Sequence, residues 1–146
     1  MKAVIQRVRE ADVQVEGRSV GRIGRGLLVY IGVAVDDRPE NADRLAEKVA
    51  HLRIFPDADG KLNLSVQDAR GGVLAVPNFT LQADARKGRR PAFVNAAKGD
   101  VAEPLHDRFV EALKGWVQPV ETGLFGADMQ IRSIADGPIN ILLEMT

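Results

Sequence analysis

The sequence contains no cysteine, only two histidines and no net charge at neutral pH. The absence of cysteine excludes disulfides and thiolate metal sites, and it is typical of a protein of the reducing cytoplasm. Because His51 and His106 lie far apart in the sequence, we expect no histidine metal site, no Ser-His-Asp triad and no cofactor. Zero net charge means that any contact with nucleic acid must come from a local basic patch.

Long hydrophobic runs are also lacking. The longest, Leu27 to Val35, has nine residues, whereas a membrane-spanning helix needs roughly 20. After Lys2 only three apolar residues precede polar ones, so we expect no signal peptide, no membrane contact and a cytoplasmic location. The 146 residues, 45% hydrophobic and 27% charged, predict one compact domain covering residues 1–146.

Most of the first third of the chain is predicted to form strands. Val13–Val15 alternates in polarity and is followed by a turn at Glu16–Arg18, which predicts a β-hairpin. Residues 27–35 predict a buried strand. The glycines before it are read as hairpin turns, because a phosphate loop would lead into a helix instead. Near the end, residues 129–131 and 139–143 predict two strands separated by a Gly-Pro turn.

Two amphipathic helices are expected. The first follows Pro39 and continues to about residue 53, with Leu45, Val49 and Leu52 at helical spacing. The second covers residues 102–117, and its apolar face is predicted to contain Leu105, Phe109, Leu113 and Trp116. His51 lies off the apolar stripe of the first helix and His106 at the edge of that of the second, so we expect solvated and structural roles. These patterns predict an α/β domain with more strands than helices.

Val73–Leu81, with the sequence VLAVPNFTL, is the stretch that best suits a functional site. It begins as a buried strand and loses regular pairing at Pro77, which has no N–H to donate. Asn78, Phe79 and Thr80 then follow as an amide, an aromatic ring and a hydroxyl at the end of a rigid strand. Thr80 is the one plausible side-chain nucleophile, but no base to activate it is visible in the sequence.

A basic loop follows this stretch. Its cationic residues are Arg86, Lys87, Arg89 and Arg90, and Pro91 stiffens its exit. In a chain with no net charge, this clustering favours a loop that contacts phosphates over a solvated surface loop.

A second distinctive stretch is Ile134–Ile141, with the sequence IADGPINI. Its Gly-Pro pair is a turn signal, and X-Pro bonds are where cis peptides occur. Together with Val73–Leu81, it resembles the D-aminoacyl-tRNA deacylase (D-tyrosyl-tRNA deacylase) family, which has Ser-Gln-Phe-Thr-Leu and Asn-X-Gly-Pro-Val-Thr at these places. The resemblance extends along nearly the whole chain and includes Ala3–Val8, Gly26–Val29, Arg53–Phe55, Gly60–Leu64, Arg90–Phe93 and Thr122–Met129.

The resemblance implies a mainly antiparallel, barrel-like sheet and hydrolysis of the ester bond of D-aminoacyl-tRNA. It implies that Phe79 and Thr80 line the pocket for the terminal adenosine and the ester, with their backbone N–H groups facing the oxyanion. It also implies a homodimer in which a cis Gly137–Pro138 bond enters the pocket of the partner subunit and excludes L-amino acids. Arg7 matches a family position that braces this loop.

The chain departs from the family motifs at four positions. Pro77 and Asn78 stand in place of Ser and Gln, and Ala135 and Asn140 in place of Asn and Thr. Asn78 keeps an amide for substrate contact but is one methylene shorter. Two alternatives therefore stay open: a deacylase that prefers glycine or a small mischarged L-amino acid on tRNA, and a tRNA-end-binding module without activity.

Overall fold

Strand β1, Lys2–Val15, is the element to which most of the sheet attaches. In the computed structural model, which describes residues 1–146, one edge of β1 pairs antiparallel with β2, Arg18–Ile23, and with β3, Gly26–Gly32. The predicted hairpin is confirmed, and Glu16 and Gly17 form its turn with positive φ angles of 50° and 77°. The opposite edge of β1 pairs antiparallel with β8, Gln130–Glu144.

The sheet continues from β3 through two parallel strands. Strand β6, Gly72–Pro77, pairs with β3, and β7, Val120–Thr122, pairs with β6. Two short strands, β4 at Phe55–Pro56 and β5 at Leu62–Leu64, form a separate ribbon. The mainly antiparallel, barrel-like fold is thus confirmed. Two of its pairings are parallel because a helical connection links the two strands of each pair and lets the chain re-enter the sheet in the same direction.

Two helices cover one face of the sheet. They are α1, Pro39–His51, and α2, Gly99–Lys114. Leu45 and Val49 of α1 and Phe109 and Leu113 of α2 are buried in the main core, as their spacing predicts. Neither helix combines the length and the apolar character that crossing a membrane requires.

The prediction that Trp116 belongs to the buried face of the second helix is wrong. Helix α2 ends at Lys114, so Trp116 lies beyond it and its side chain is 46% exposed. Its ring packs edge-on against His51, with 4.6 Å between the ring centroids. The pattern misled because all four residues fit the 3.6-residue repeat, although the helix ends before the fourth.

The prediction of two strands separated by a Gly-Pro turn is also wrong. Residues 130–144 form one long strand, and pairing with β1 continues on both sides of Gly137–Pro138. The register shifts between Ala135, opposite Val8, and Asn140, opposite Gln6. The Gly-Pro pair therefore lies in a bulge beside Arg7, which re-aims the backbone without ending the strand.

Candidate functional site

The end of β6 is held in place from two sides. The backbone N–H of Asn78 donates to the carbonyl of Ile31 at 2.8 Å, which continues the parallel ladder one residue past Pro77. A short 3₁₀ turn, Phe79–Gln82, follows at once. The buried side chain of Gln82 donates to the carbonyl of Gly32 at 2.8 Å. These two bonds fix the turn against β3, so Phe79 and Thr80 lie on a rigid support.

Asn78 caps this turn with its own side chain. Its Oδ1 accepts a hydrogen bond from the backbone N–H of Thr80 at 3.2 Å, and a second, short one from the Thr80 hydroxyl. The Thr80 N–H therefore has a hydrogen-bond partner within the turn, and its role towards an oxyanion stays a prediction. Phe79 is the first residue of the turn, and an N–H at that position has no acceptor within the turn itself.

An exposed aromatic pair borders the turn. The rings of Phe79 and Phe93 lie 5.0 Å apart between centroids at an angle of 52°. Phe79 is 57% exposed and Phe93 is 38% exposed, so both retain faces that a planar ring can contact. Phe93 follows the basic loop, and the pairing of Asp84 with Ala92 brings it back beside Phe79.

A cavity of about 170 Å³ lies against Asn78 and Phe79. Apolar side chains form most of its walls, among them Ile31, Phe125 and Met129. His106 of α2 is its buried polar residue, and neither ring nitrogen of His106 has a hydrogen-bond partner. Burial lowers the pKa of His106 below the ordinary value of 6.5, which keeps the imidazole neutral at physiological pH.

The bulge in β8 is braced by Arg7. The Arg7 guanidinium donates to the carbonyl of Asp136 at 3.1 Å and to that of Ile54 at 2.8 Å, and it lies 3.4 Å from the Asp136 carboxylate. The Gly137–Pro138 peptide bond is cis, and both residues are exposed. Gly137 has a φ of 130°, and a Cβ there would approach Ile139 to 2.9 Å. Glycine is therefore required at this position.

Within one chain, the sheet register keeps the turn and the bulge apart. Arg7, beside the bulge, pairs with Leu27 of β3, whereas Pro77 pairs with Ile31, four residues further along the same strand. Three strand steps separate β8 from β6. With ordinary strand spacing and rise, the two segments are roughly 20 Å apart across the sheet.

The basic loop projects from the base of the aromatic pair. Asp84 accepts two side-chain bonds from Arg86, at 2.9 and 2.7 Å, and the Arg86 guanidinium holds the pKa of Asp84 well below its usual range. The charge of Arg86 is thus largely neutralised. Lys87, Arg89 and Arg90 are exposed and have no ion-pair partner in the chain.

The structure therefore groups the sequence-predicted residues in two sets. Asn78, Phe79, Thr80 and the basic loop lie together at the end of β6, whereas Arg7 and Gly137–Pro138 lie together in the bulge. Sequence analysis did not identify Phe93, Phe125 or His106 as site residues. For His106, the signal was its place in the helical stripe beside Phe109, which marks it as inward-facing. No cluster of three or more His, Asp or Glu side chains is arranged to hold a metal ion.

The rigid turn, the exposed aromatic pair and the basic loop thus lie together at the end of β6. Comparison with known proteins shows the family to which this chain belongs. The family model described as D-Tyr-tRNA(Tyr) deacylase matches residues 4–144, and the chain belongs to that family.

Individual relatives agree with this assignment. The chain is 54% identical over 144 residues to a D-aminoacyl-tRNA deacylase from Caldicellulosiruptor bescii, covering 99% of this chain and 97% of the relative. A solved structure titled c-Myc DNA Unwinding Element Binding Protein is similar with a TM-score of 0.94 and 38% identity, covering 100% of this chain and 99% of that one. Another, a probable eukaryotic D-amino acid tRNA deacylase, has a TM-score of 0.81 at 21% identity and covers 99% of this chain and 98% of that one, which shows the shared fold.

Proposed function

We propose that this chain hydrolyses the ester of D-aminoacyl-tRNA in a site built from the turn of one chain and the bulge of a second copy. Deacylation of D-aminoacyl-tRNA, a proofreading step of translation, is the activity of the family to which the chain belongs, and aminoacylated tRNA is its substrate. Water adds to the ester carbonyl, the bond to the ribose oxygen breaks, and free D-amino acid and tRNA leave. The single observation that carries the composite site is the separation of Phe79–Thr80 from Gly137–Pro138 across the sheet.

Binding geometry and backbone dipoles supply the catalysis in this proposal. The Thr80 hydroxyl donates its hydrogen to Asn78, and an amide oxygen is not a base that could activate a nucleophile. Thr80 therefore positions the turn and does not attack the ester. The N–H of Phe79 is the donor for the developing oxyanion, and one such donor is typically worth ~3 kcal/mol. The 2′-hydroxyl next to the ester assists the reaction from the substrate side.

Chiral selection is the role proposed for the bulge. Gly137 and Pro138 are exposed, and Arg7 holds the preceding residue through its carbonyl and its carboxylate. A loop fixed in this way can enter the pocket of a partner and offer its backbone carbonyls to the substrate α-amino group. Its bulk then leaves no room for the L configuration. The homodimer that this arrangement requires stays a prediction.

The basic loop is proposed to contact the tRNA backbone. Lys87, Arg89 and Arg90 are the exposed cations available for phosphate, while Arg86 fastens the loop to Asp84. The loop lies next to the aromatic pair, because Asp84 and Ala92 pair at its base. Phosphate contacts at this point would hold the acceptor end in register with the pocket.

The departures at Pro77 and Asn78 favour one second candidate, a deacylase with a preference for glycine or a small mischarged L-amino acid. Release of amino acid from tRNA charged with D-tyrosine, L-tyrosine, L-alanine or glycine, measured with equal enzyme, separates the two. The proposed function predicts rapid release of D-tyrosine and retention of both L-esters. Equal release of D- and L-tyrosine would contradict chiral selection, and binding of all four without release would indicate a tRNA-end-binding module.

A further inference from the structure

Strand β1 has a one-residue bulge of its own at Arg9. On one edge, two successive residues of β8 lie opposite Val8 and Glu10, so Arg9 has no residue opposite it. On the other edge, pairing with β3 ends at Val8 and pairing with β2 begins at Ala11. Arg9 is therefore an extra residue that takes part in the ladder on neither side.

This one-residue bulge turns Arg9 towards solvent. The alternation of β1 breaks here, because Arg7 and Val8 are both buried whereas Arg9 and Glu10 are both exposed. The carboxylate nearest to Arg9 is that of Asp136, which lies 3.8 Å from a guanidinium that is 74% exposed and only 3.4 Å from Arg7. So long and exposed a contact contributes little to stability. A bulge that re-aims a side chain in this way is typical of positions next to active sites.

The neighbourhood of the Gly-Pro bulge restricts what Arg9 can bind. In the proposed composite site this bulge enters the pocket of the partner subunit, so Arg9 of the same chain comes to the rim of that pocket. The amino-acid half of the substrate carries an ammonium group, which a guanidinium repels, and its carboxyl group is esterified. The anions that remain are the phosphates of the tRNA backbone, and the planar fork of an arginine matches their oxygen atoms.

We propose that Arg9 is a substrate-binding residue that contacts a backbone phosphate at the 3′ end of the aminoacyl-tRNA whose ester lies in the partner's pocket. This inference rests on the proposed function, since it names a further contact to the same substrate. The tRNA end is then held by both chains, through the basic loop of the chain that supplies the turn and through Arg9 of the chain that supplies the bulge.

The direct test compares two substrates. Arg9→Gln is expected to raise the KM for D-tyrosyl-tRNA about tenfold, the usual size of a lost charge-assisted hydrogen bond, with kcat changed less than about twofold. With D-tyrosyl-adenosine, which has no phosphate, the same substitution is expected to change kcat/KM less than about twofold. Equal losses with both substrates would overturn the proposal. Thermal unfolding shows that the variant is folded.

A neighbouring arginine provides the matched control. Arg22 of β2 is 67% exposed, and its guanidinium lies 3.7 Å from the carboxylate of Glu10, the residue after Arg9. Arg22→Gln removes the same charge from the same region of the sheet and is expected to change the KM for D-tyrosyl-tRNA less than about twofold. An equal rise in both variants would show a general effect of surface charge and overturn the contact proposed for Arg9.

Mixed dimers test which chain supplies the contact. Arg9→Gln is combined with a disabled turn, Phe79→Ala and Thr80→Ala, and the chain is refolded together with one whose bulge is disabled by Gly137→Val. The KM of the restored activity is expected to rise, because the altered residue then belongs to the chain that supplies the bulge. Placing Arg9→Gln on the Gly137→Val chain instead is expected to leave KM unchanged. The opposite result would overturn the proposal.

The two proposals fail separately. If the wild-type protein releases no D-amino acid, the proposed function is wrong. The salt dependence of binding to uncharged tRNA still reports on Arg9, since its slope is expected to fall by roughly 0.7 in Arg9→Gln if one phosphate of a single-stranded end is no longer neutralised. An unchanged slope would show that Arg9 does not contact a phosphate.

Discussion

The side-chain oxygen of Asn78 accepts two hydrogen bonds from Thr80, one from its backbone N–H at 3.2 Å and one from its hydroxyl. A single amide oxygen therefore fixes both hydrogen-bond donors of the residue that the family motif places in the site. The position that departs from the family, Asn for Gln, acts in this chain as the cap of the 3₁₀ turn. Its shorter side chain suits a bond to a residue only two positions away.

The first prediction concerns this cap. Asn78→Ala removes the acceptor and is expected to lower the free energy of unfolding by about 1 kcal/mol, the usual cost of losing a cap. It is also expected to reduce kcat/KM for D-tyrosyl-tRNA, because the turn that presents Phe79 loosens. Asn78→Asp keeps the acceptor and serves as the matched control in urea unfolding. Equal stability of the Ala and Asp variants would contradict the capping role.

The second prediction separates two arginines that share one carboxylate. Arg7 is buried and lies 3.4 Å from Asp136, whereas Arg9 is 3.8 Å from the same carboxylate with a side chain that is 74% exposed. Arg7→Met is expected to destabilise the protein by about 3 kcal/mol, because the carbonyls of Ile54 and Asp136 lose their donor and the Asp136 carboxylate loses the closer of its two cations. Arg9→Met is expected to cost less than about 0.5 kcal/mol.

Urea unfolding measures both changes, and deacylation assays show whether the bulge still functions. Arg7→Met is expected to lose chiral discrimination as well as stability, since Gly137 and Pro138 are no longer braced. A loss of stability as small for Arg7→Met as for Arg9→Met would show that the bulge does not depend on Arg7.

How far the sequence alone predicted this arrangement differs from element to element. The hairpin, both helices and the strand before Pro77 followed from residue patterns, because local periodicity decides these elements. The continuity of β8 did not follow, since it depends on pairing with β1 and on the contact between Arg7 and Asp136, more than 100 residues apart. Gly-Pro is a turn signal only where no neighbouring strand holds both flanks.

The site was predicted unevenly for the same reason. Asn78, Phe79 and Thr80 are adjacent in sequence, so their grouping was visible there. Phe93 joins them only through the pairing of Asp84 with Ala92, and His106 reaches the cavity from helix α2. The ion pair between Arg86 and Asp84 was not predicted either, because the sequence does not show which cation lies next to a carboxylate.

The third prediction concerns the basic loop. Replacing Lys87, Arg89 and Arg90 with Gln is expected to weaken binding to charged tRNA and to flatten its salt dependence. For a single-stranded end, the slope is expected to fall by roughly 0.7 for each phosphate that the variant no longer neutralises. Arg86→Gln is expected to change the slope less, because Asp84 already pairs with that side chain. Binding measured between low and high salt gives the slopes.

The control for the loop is a charge change elsewhere on the surface. Arg44 and Lys48 are exposed on α1 and border a groove that shares no residue with the cavity beside Phe79. Their replacement with Gln is expected to leave the slope unchanged. If the salt dependence of binding is the same in the loop variant as in the wild type, residues 86–90 are an ordinary solvated loop.

The fourth prediction is a pH dependence that originates in His106. Burial lowers the pKa of His106 in the folded protein below its ordinary value of 6.5, so the unfolded chain binds this proton first as the pH falls. The contribution to stability is therefore fully present above about 6.5 and is lost as the pH falls below that value. Urea unfolding at pH values from about 7.5 to 5 should show this decline. It should be absent in His106→Leu and retained in His51→Gln, which changes the exposed histidine.

The last prediction concerns whether the two halves of one active site come from different chains. Gly137→Val disrupts the bulge, since the backbone conformation at residue 137 strongly favours glycine and a Cβ there meets Ile139. A second variant with Phe79→Ala and Thr80→Ala disables the turn. Each variant alone is expected to be nearly inactive towards D-tyrosyl-tRNA, and circular dichroism together with the measured molecular mass shows that each still folds and forms dimers.

The decisive measurement is deacylation of D-tyrosyl-tRNA after the two variants are unfolded together and refolded. In a heterodimer, one site combines the intact turn with the intact bulge, and the other site has neither. Random pairing of equal amounts then predicts recovery to about a quarter of the wild-type rate. If the mixture remains inactive although the chains demonstrably exchange, each chain uses its own bulge and the composite site proposed for this protein is wrong.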